Sequence, residues 1–368
     1  MDGLTILAHT SAVNGTSPLN VELLRRLCEA PGAPGREERI RKVVLEALKP
    51  LCDEVSVDAL GNVIGKKAGA ARGGGEKPLR LMLSSHMDEI SFIVTHVDDS
   101  GFIRFTPLGG FDPKTLTAQR VTVHGKRDLL GVLGSKPVHI MTEEEKKTAP
   151  KLEDYFIDVG LSAAEVRELV SVGDDVTRQR DLVEVGNTLN GKAFDNRMGV
   201  FVMLEALRQA QRHSVDVYAV ASVQEEIGLR GATVAARNVD PDIGIALDIT
   251  VANDVPEAKP HEHVTRLGGG AAIKVMDSSV VCNPKVVAFL RTIADARQIP
   301  YQLEVLTRGG TDTAALQRSG KGAAVGCISI PTRYVHSVIE MCHKDDIRAC
   351  IRLLGAFVES AHEESFAF

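Results

Sequence analysis

The sequence predicts an α/β fold: a mixed, largely parallel sheet flanked by helices and interrupted by a small β-rich insertion. Three observations carry that expectation. Four short apolar runs, LRLMLSS, VYAVASVQ, IGIALDIT and AVGCISIPTRYVH, stand between helical patterns, and runs of that length read as strands buried on both faces. Between residues 91 and 183 the texture changes to short runs such as SFIVTHV, FIRFTPL and RVTVHG, separated by turns. Finally, 368 residues are long for a single core, so a large domain with a smaller one is expected. The division read from these features is 1–90 and 184–368 for the two parts of the α/β domain, with 91–183 inserted.

Element by element, the opening MDGLTILAHTSAVNGTSPLN has a short apolar patch but no basic segment ahead of it. It reads as an exposed extension rather than a signal peptide. VELLRRLCEA is helical, PGAPG is a turn, and REERIRKVVLEAL resumes a helical stripe that Pro50 stops. VSVDALGNVIGKK reads as two short strands around Gly61 and Asn62. The glycines of AGAARGGGEK, residues 68–77, lack the Lys-Ser or Lys-Thr of a phosphate cradle, so a flexible hairpin tip is expected. A charged stretch, EEEKKTAPKLED, follows the β-like runs. RMGVFVMLEALRQAQR and DDIRACIRLLGAFVESA are amphipathic helices.

Composition narrows the function. A formal charge of −6 lacks the basic footprint that nucleic acid requires. No apolar run approaches the ~18–20 residues of a membrane span. The six cysteines, Cys28, Cys52, Cys282, Cys327, Cys342 and Cys350, form no CxxC pair. That scatter suggests reduced, buried thiols in a cytoplasmic protein and argues against a thiolate metal site.

The chemistry gathers at the strand ends. LRLMLSS ends at His86, VYAVASVQ at Glu225 and Glu226, IGIALDIT carries Asp248, and AVGCISIPTRYVH ends at His336. In parallel α/β sheets, ligand sites gather beyond the carboxyl ends of the strands. Two imidazoles with several carboxylates form a ligand set for Zn²⁺, Co²⁺ or Mn²⁺. Asp195, in GKAFDNRMG before a helix, is a fifth candidate, since a carboxylate can bridge two ions. Adjacent like charges are costly unless a cation relieves them. One glutamate of the pair could then ligate while the other serves a bound water as general base. Each residue also has a plainer reading. His86 could be a hydrogen-bonded buried histidine, and Asp195 could cap the following helix. Asp248 could satisfy backbone donors, His336 could pack beside Tyr334, and the glutamates could pair with Arg230.

The ordered words SSHMDEISFIVTHVDDSGFIRFTPLGGFD, GKAFDNRMGV, VQEEIGLRGA, ALDIT, RGGTDTAAL and ISIPTRYVHS resemble the tetrahedral (TET) aminopeptidase family, also called the cellulase-M or glutamyl aminopeptidase family. The resemblance runs from about residue 20 to the end and includes the APG turn with Glu37, DALGN and GSKPVHI. It implies a zinc-peptidase-like catalytic domain, an inserted dimerisation domain and two divalent ions per subunit, chiefly Zn²⁺, with Co²⁺ or Mn²⁺ as alternatives. On the matching positions, His86, Asp195, Glu226, Asp248 and His336 are the implied ligands, with Asp195 bridging. Glu225 is the implied general base, and Asp88 orients His86. The chain departs at Ser91, where glycine is usual, and at Asn196, where a second aspartate is common. Arg308, Gly309, Gly310 and Thr311 are expected to face substrate, although a tight turn before a helix capped by Asp312 explains the last three equally well.

The expected activity is removal of N-terminal residues from short peptides, with a leucyl or broadly neutral preference. A carboxypeptidase on the same metals would need a cation for the terminal carboxylate, and Arg308 and Arg333 are available. A glycosidase reading is set aside because those enzymes use a carboxylate pair without a histidine metal set. A catalytically dead shell would lack the base or a ligand, and none is missing. A homo-oligomer is expected: a dimer at minimum, and by resemblance a tetrahedral dodecamer.

Overall fold

The computed structural model describes residues 18–70, 78–210 and 212–367. Nearly all of the N-terminal extension, and most of the glycine-rich tip at 68–77, lie outside them. The large domain is organised by an eleven-stranded sheet. Its centre is four parallel strands in the order Asp216–Ser222, Arg80–His86, Ile243–Val251, Ala324–Arg333. These are the four apolar runs of the sequence. Antiparallel strands extend the sheet on one side through Val63–Lys67 and Glu54–Val57. On the other side lie Glu340–His343, Thr188–Gly191 and Val183–Val185. Ala271–Met276 and Tyr301–Val305 branch from Ala324–Arg333.

The unbroken hydrophobicity of the central strands has a direct cause. Side chains alternate between faces, and both faces are covered. Leu81, Leu83, Ala219 and Ile245 pack beneath helices Val21–Glu29, Phe194–Gln209, Pro284–Ala296 and Lys344–Ser360. Met82 and Val220 pack beneath Arg230–Val239 and Thr313–Gln317 on the other face. Each such leucine contributes about 1.5–3 kcal/mol by leaving water. The helices obey their sequence signals. Asn20 accepts from Leu23 N at 3.1 Å and opens Val21–Glu29. Helix Glu38–Leu48 ends ahead of Pro50, which lies in a 3-10 turn, Lys49–Leu51.

Six strands, Ser91–Val97, Ile103–Leu108, Arg120–His124, Asp128–Gly134, Phe156–Asp158 and Asp175–Arg178, close a barrel in which every pairing is antiparallel. Phe92 fills its centre, 4.7 Å from the Phe105 ring and 4.4 Å from that of Phe111. The charged stretch contains a helical turn, Glu143–Lys147, with a reciprocal Thr142–Glu145 cap. Charge alone gave no sign of that turn. The chain enters the barrel directly after Asp88–Ile90, so the barrel is anchored at the end of a central strand. Arg39 clamps it from the large domain through both oxygens of Asp128, at 2.6 and 2.7 Å. Among the described residues, no helix is long and apolar enough to cross a membrane, and all six cysteines are unpaired.

Candidate metal centre

The parallel register sets the site. Ser222 pairs with His86, so the strand that leads into the glutamate pair ends level with the strand carrying His86. Asp248 stands on the next strand, Ile243–Val251, and His336 follows the strand after it. Asp195 enters from the helix side, where its φ/ψ and those of Asn196 are non-helical within Phe194–Gln209.

Asp195 is the hub. Its Oδ1 lies 3.1 Å from His86 Nε2, and its Oδ2 lies 3.2 Å from His336 Nε2. Glu225 Oε2 and Asp248 Oδ1 stand 3.7 and 3.9 Å from His86 Nε2. Glu226 Oε1 stands 3.6 Å from His336 Nε2. Ligand-type atoms of His86, Asp195 and Glu226 lie within 4.8 Å of one another, as do those of His86, Glu225 and Asp248. All five expected ligands and the expected base therefore meet in one place.

The electrostatics call for cations. Burial pushes Glu226 up to about 8, and the neighbouring Asp195 adds to the effect. Burial likewise holds Glu225 and Asp248 well above the carboxylate range, only partly opposed by His86. Burial disfavours the protonated form of His86, yet Glu225, Asp195 and Asp88 outweigh it and hold its proton well above the usual range. His336 rises to about 9: burial opposes the shift, while Asp195 and Glu226 drive it. Four carboxylates thus crowd two imidazoles, and buried Glu226 Oε1 has no hydrogen-bond partner. The donor set fits divalent metal.

The supporting residues refine the sequence reading. His86 Nδ1 lies 3.2 Å from the Asp88 carbonyl and 3.4 Å from Asp88 Oδ1, which fixes the ring with Nε2 toward the cluster. The Asp88 carboxylate also accepts from Glu225 N at 3.0 Å and Glu226 N at 3.1 Å. Glu340, which sequence reasoning missed, accepts from Asp195 N at 3.2 Å and His336 N at 2.8 Å. Its only sequence signal was an acid four residues beyond His336.

Several plainer readings do not hold. Asn196, rather than Asp195, caps the helical stretch that follows the kink, with its Oδ1 accepting from Gly199 N at 3.1 Å. Its amide also donates to the Leu247 carbonyl at 2.8 Å, a bond an ionised aspartate cannot make. The ion-pair partners of Glu225 and Glu226 are the histidines rather than Arg230. Asp312 does not cap helix Thr313–Gln317 with its side chain. Instead it accepts from Ser84 Oγ at 2.8 Å and Ser222 Oγ at 2.6 Å beneath the strand ends.

A cavity of ≈ 460 Å³ opens over the cluster, with Leu229, Ile249, Val251, Leu306 and Val335 among its lining. Arg308, Gly309, Gly310 and Thr311 line it as well. Gly309 has φ +86°, which favours glycine. A Cβ on Gly310 would stand 2.9 Å from Ser279 Oγ, so that glycine answers to its neighbour. Thr311 turns its hydroxyl to Asp277 at 3.1 Å.

Glu37 braces the loop ahead of the glutamate pair, its Oε1 accepting from Gly35 N at 2.8 Å and Gln224 N at 3.2 Å. Burial pushes its carboxyl from 4.5 up to about 7. Between those values the folded chain keeps a proton that the unfolded chain has released. Stability should therefore fall as pH rises through this window, by up to about 3 kcal/mol. Urea unfolding of the metal-free chain at pH 4.5 and 7 should show this slope, and Glu37→Gln should reduce it. Equal slopes in the two proteins would refute the assignment.

A parallel-centred sheet with an inserted barrel, and this cluster at its strand ends, place the chain among the peptide hydrolases. A family model described as M42 glutamyl aminopeptidase matches residues 61–353, and the chain belongs to that family. The lysyl aminopeptidase of Pyrococcus furiosus is 37% identical over 94% of this chain and 98% of its own. The structure of an aminopeptidase from the archaeon Desulfurococcus kamchatkensis superposes with a TM-score of 0.88 at 40% identity, covering 92% and 94% of the two chains. The Pyrococcus horikoshii TET1 peptidase, described as assembling into a tetrahedron or a large octahedral shell, matches with a TM-score of 0.80 at 30% identity, covering 92% and 98%.

Proposed function

We propose that the chain is a dinuclear metal-dependent aminopeptidase that releases N-terminal residues from short peptides. One observation carries the reading: the two oxygens of Asp195 face two different imidazoles, at 3.1 and 3.2 Å. His86, Asp195 and Asp248 would hold one ion, and His336, Asp195 and Glu226 the other, with Zn²⁺ favoured over Co²⁺ and Mn²⁺. Such ions, when bound, activate water and polarise a carbonyl. Glu225 takes the proton of the attacking water at its carboxylate and returns it to the leaving amine. Asp88 keeps Glu225 in place through its backbone N–H. The acidic cluster lining the cavity receives the free α-amino group, which restricts cleavage to the first residue.

The apolar lining from Leu229 to Val335 favours a leucyl or neutral first side chain. Among the described residues lining the cavity, Arg308 is the one lysine or arginine, and it disfavours a basic one. Leucyl, glutamyl and lysyl chromogenic substrates, tested side by side on the metal-loaded chain, should rank leucyl first by about tenfold or more in kcat/KM, as one or two buried methylenes allow. A chain fastest on the lysyl substrate would overturn this preference.

The proposed division remains 1–90 and 184–368 for the catalytic domain and 91–183 for the dimerisation domain. Leu130 (59% exposed) and Val132 (48%) on the outer face of the barrel support pairing of chains there, and the assembly of the TET1 relative supports a tetrahedral dodecamer of such dimers. The unpaired cysteines support a cytoplasmic setting.

A further inference from the structure

We infer that Arg178, delivered by the last barrel strand, is a positioning residue for the ion held by His336 and Glu226, so that the barrel completes the metal centre. The inference rests on the two-ion reading above. Arg178 ends the strand Asp175–Arg178, which closes the barrel by pairing on both sides. Although it belongs to the barrel, it is 2% exposed, and its Nη1 donates to the His336 carbonyl at 3.2 Å. The guanidinium lies over the Phe111 ring at 5.3 Å, and that ring stacks on Phe92. The arginine therefore joins the two domains, its strand and ring contact lying in the barrel and its hydrogen bond in the large domain.

His336 needs such a hold. Its φ is +62°, a region strained for a residue other than glycine. Its N–H is pinned by Glu340 and its carbonyl by Arg178, which leaves the ring aimed at Asp195 and Glu226. The barrel loop approaches the same ring, since a Cβ on Gly110 would stand 3.7 Å from His336 Nδ1. Charge points the same way, because Arg178 faces Glu340, Glu89, Glu226 and Asp195. Its buried Nε finds no partner, a desolvation penalty that an apolar side chain filling the same space would avoid. His86, by contrast, is oriented by Asp88 at the end of its own strand. Loss of Arg178 should therefore affect one ion and spare the other.

The test is calorimetric titration of the chelator-treated full chain with Zn²⁺, for the wild type, Arg178→Met and Arg178→Lys, with circular dichroism melts to confirm folding. The wild type should take up two ions. Arg178→Met should bind one as before and the other about 10–100-fold more weakly, the range for partners that orient a ligand. Arg178→Lys keeps the charge and should weaken the same ion less. If Arg178→Met does not fold, Arg178→Lys decides the matter by the same criterion. Two unchanged affinities, or equal weakening of both, would overturn the assignment while leaving the two-ion reading intact. A wild type that binds a single ion would overturn that reading and this assignment with it.

Discussion

Glu225→Gln should lower kcat by about 10²–10⁴-fold, the range for loss of a general acid–base group, while both ions remain bound. The substitution keeps the shape and the backbone bond from Glu225 N to Asp88 Oδ1 at 3.0 Å. It removes only the ability to take and return a proton. KM should change little, because the glutamine still lines the cavity. Measured together, kcat, KM and metal content separate this role from that of a ligand. If the variant loses an ion, Glu225 is a ligand, as its 3.7 Å approach to His86 Nε2 also permits. If the variant keeps its activity, the proton passes elsewhere.

Asp195→Ala should have the larger effect on metal content. Among the described residues, no other carboxylate has its two oxygens within about 3.2 Å of both His86 and His336, so its loss should leave one ion or none and bring hydrolysis to background. Asp195→Asn offers one oxygen and one amide, and should retain at most one ion. Metal analysis by atomic emission on extensively dialysed protein distinguishes these outcomes. Two ions in Asp195→Ala would show that the histidines do not depend on this carboxylate.

The site was legible in the sequence because its main components sit where period and position speak. The apolar runs gave the four central strands, and parallel pairing then brings His86, the glutamate pair and Asp248 to one edge by register. What escaped was whatever depends on contacts between distant segments. Glu340 reads as one acid in an ordinary antiparallel strand, yet it holds the backbone of both Asp195 and His336. Arg178 reads as a basic residue at the end of a β-like run, and only closure of the barrel carries it to His336. Asp312 looked like a helix cap because aspartate before a helix usually is one. Two serine hydroxyls under the sheet competed for its carboxylate and won. Each of these is a tertiary choice among local options that the sequence leaves equivalent.

The most direct measurement is hydrolysis of a leucyl chromogenic substrate by chelator-treated protein, before and after addition of Zn²⁺ or Co²⁺, with an N-acetylated leucyl substrate alongside. The expected result is no activity without metal, recovery that saturates at two equivalents per chain, and no cleavage of the acetylated substrate. Activity that survives complete removal of metal, or equal cleavage of the acetylated substrate, would contradict a dinuclear aminopeptidase.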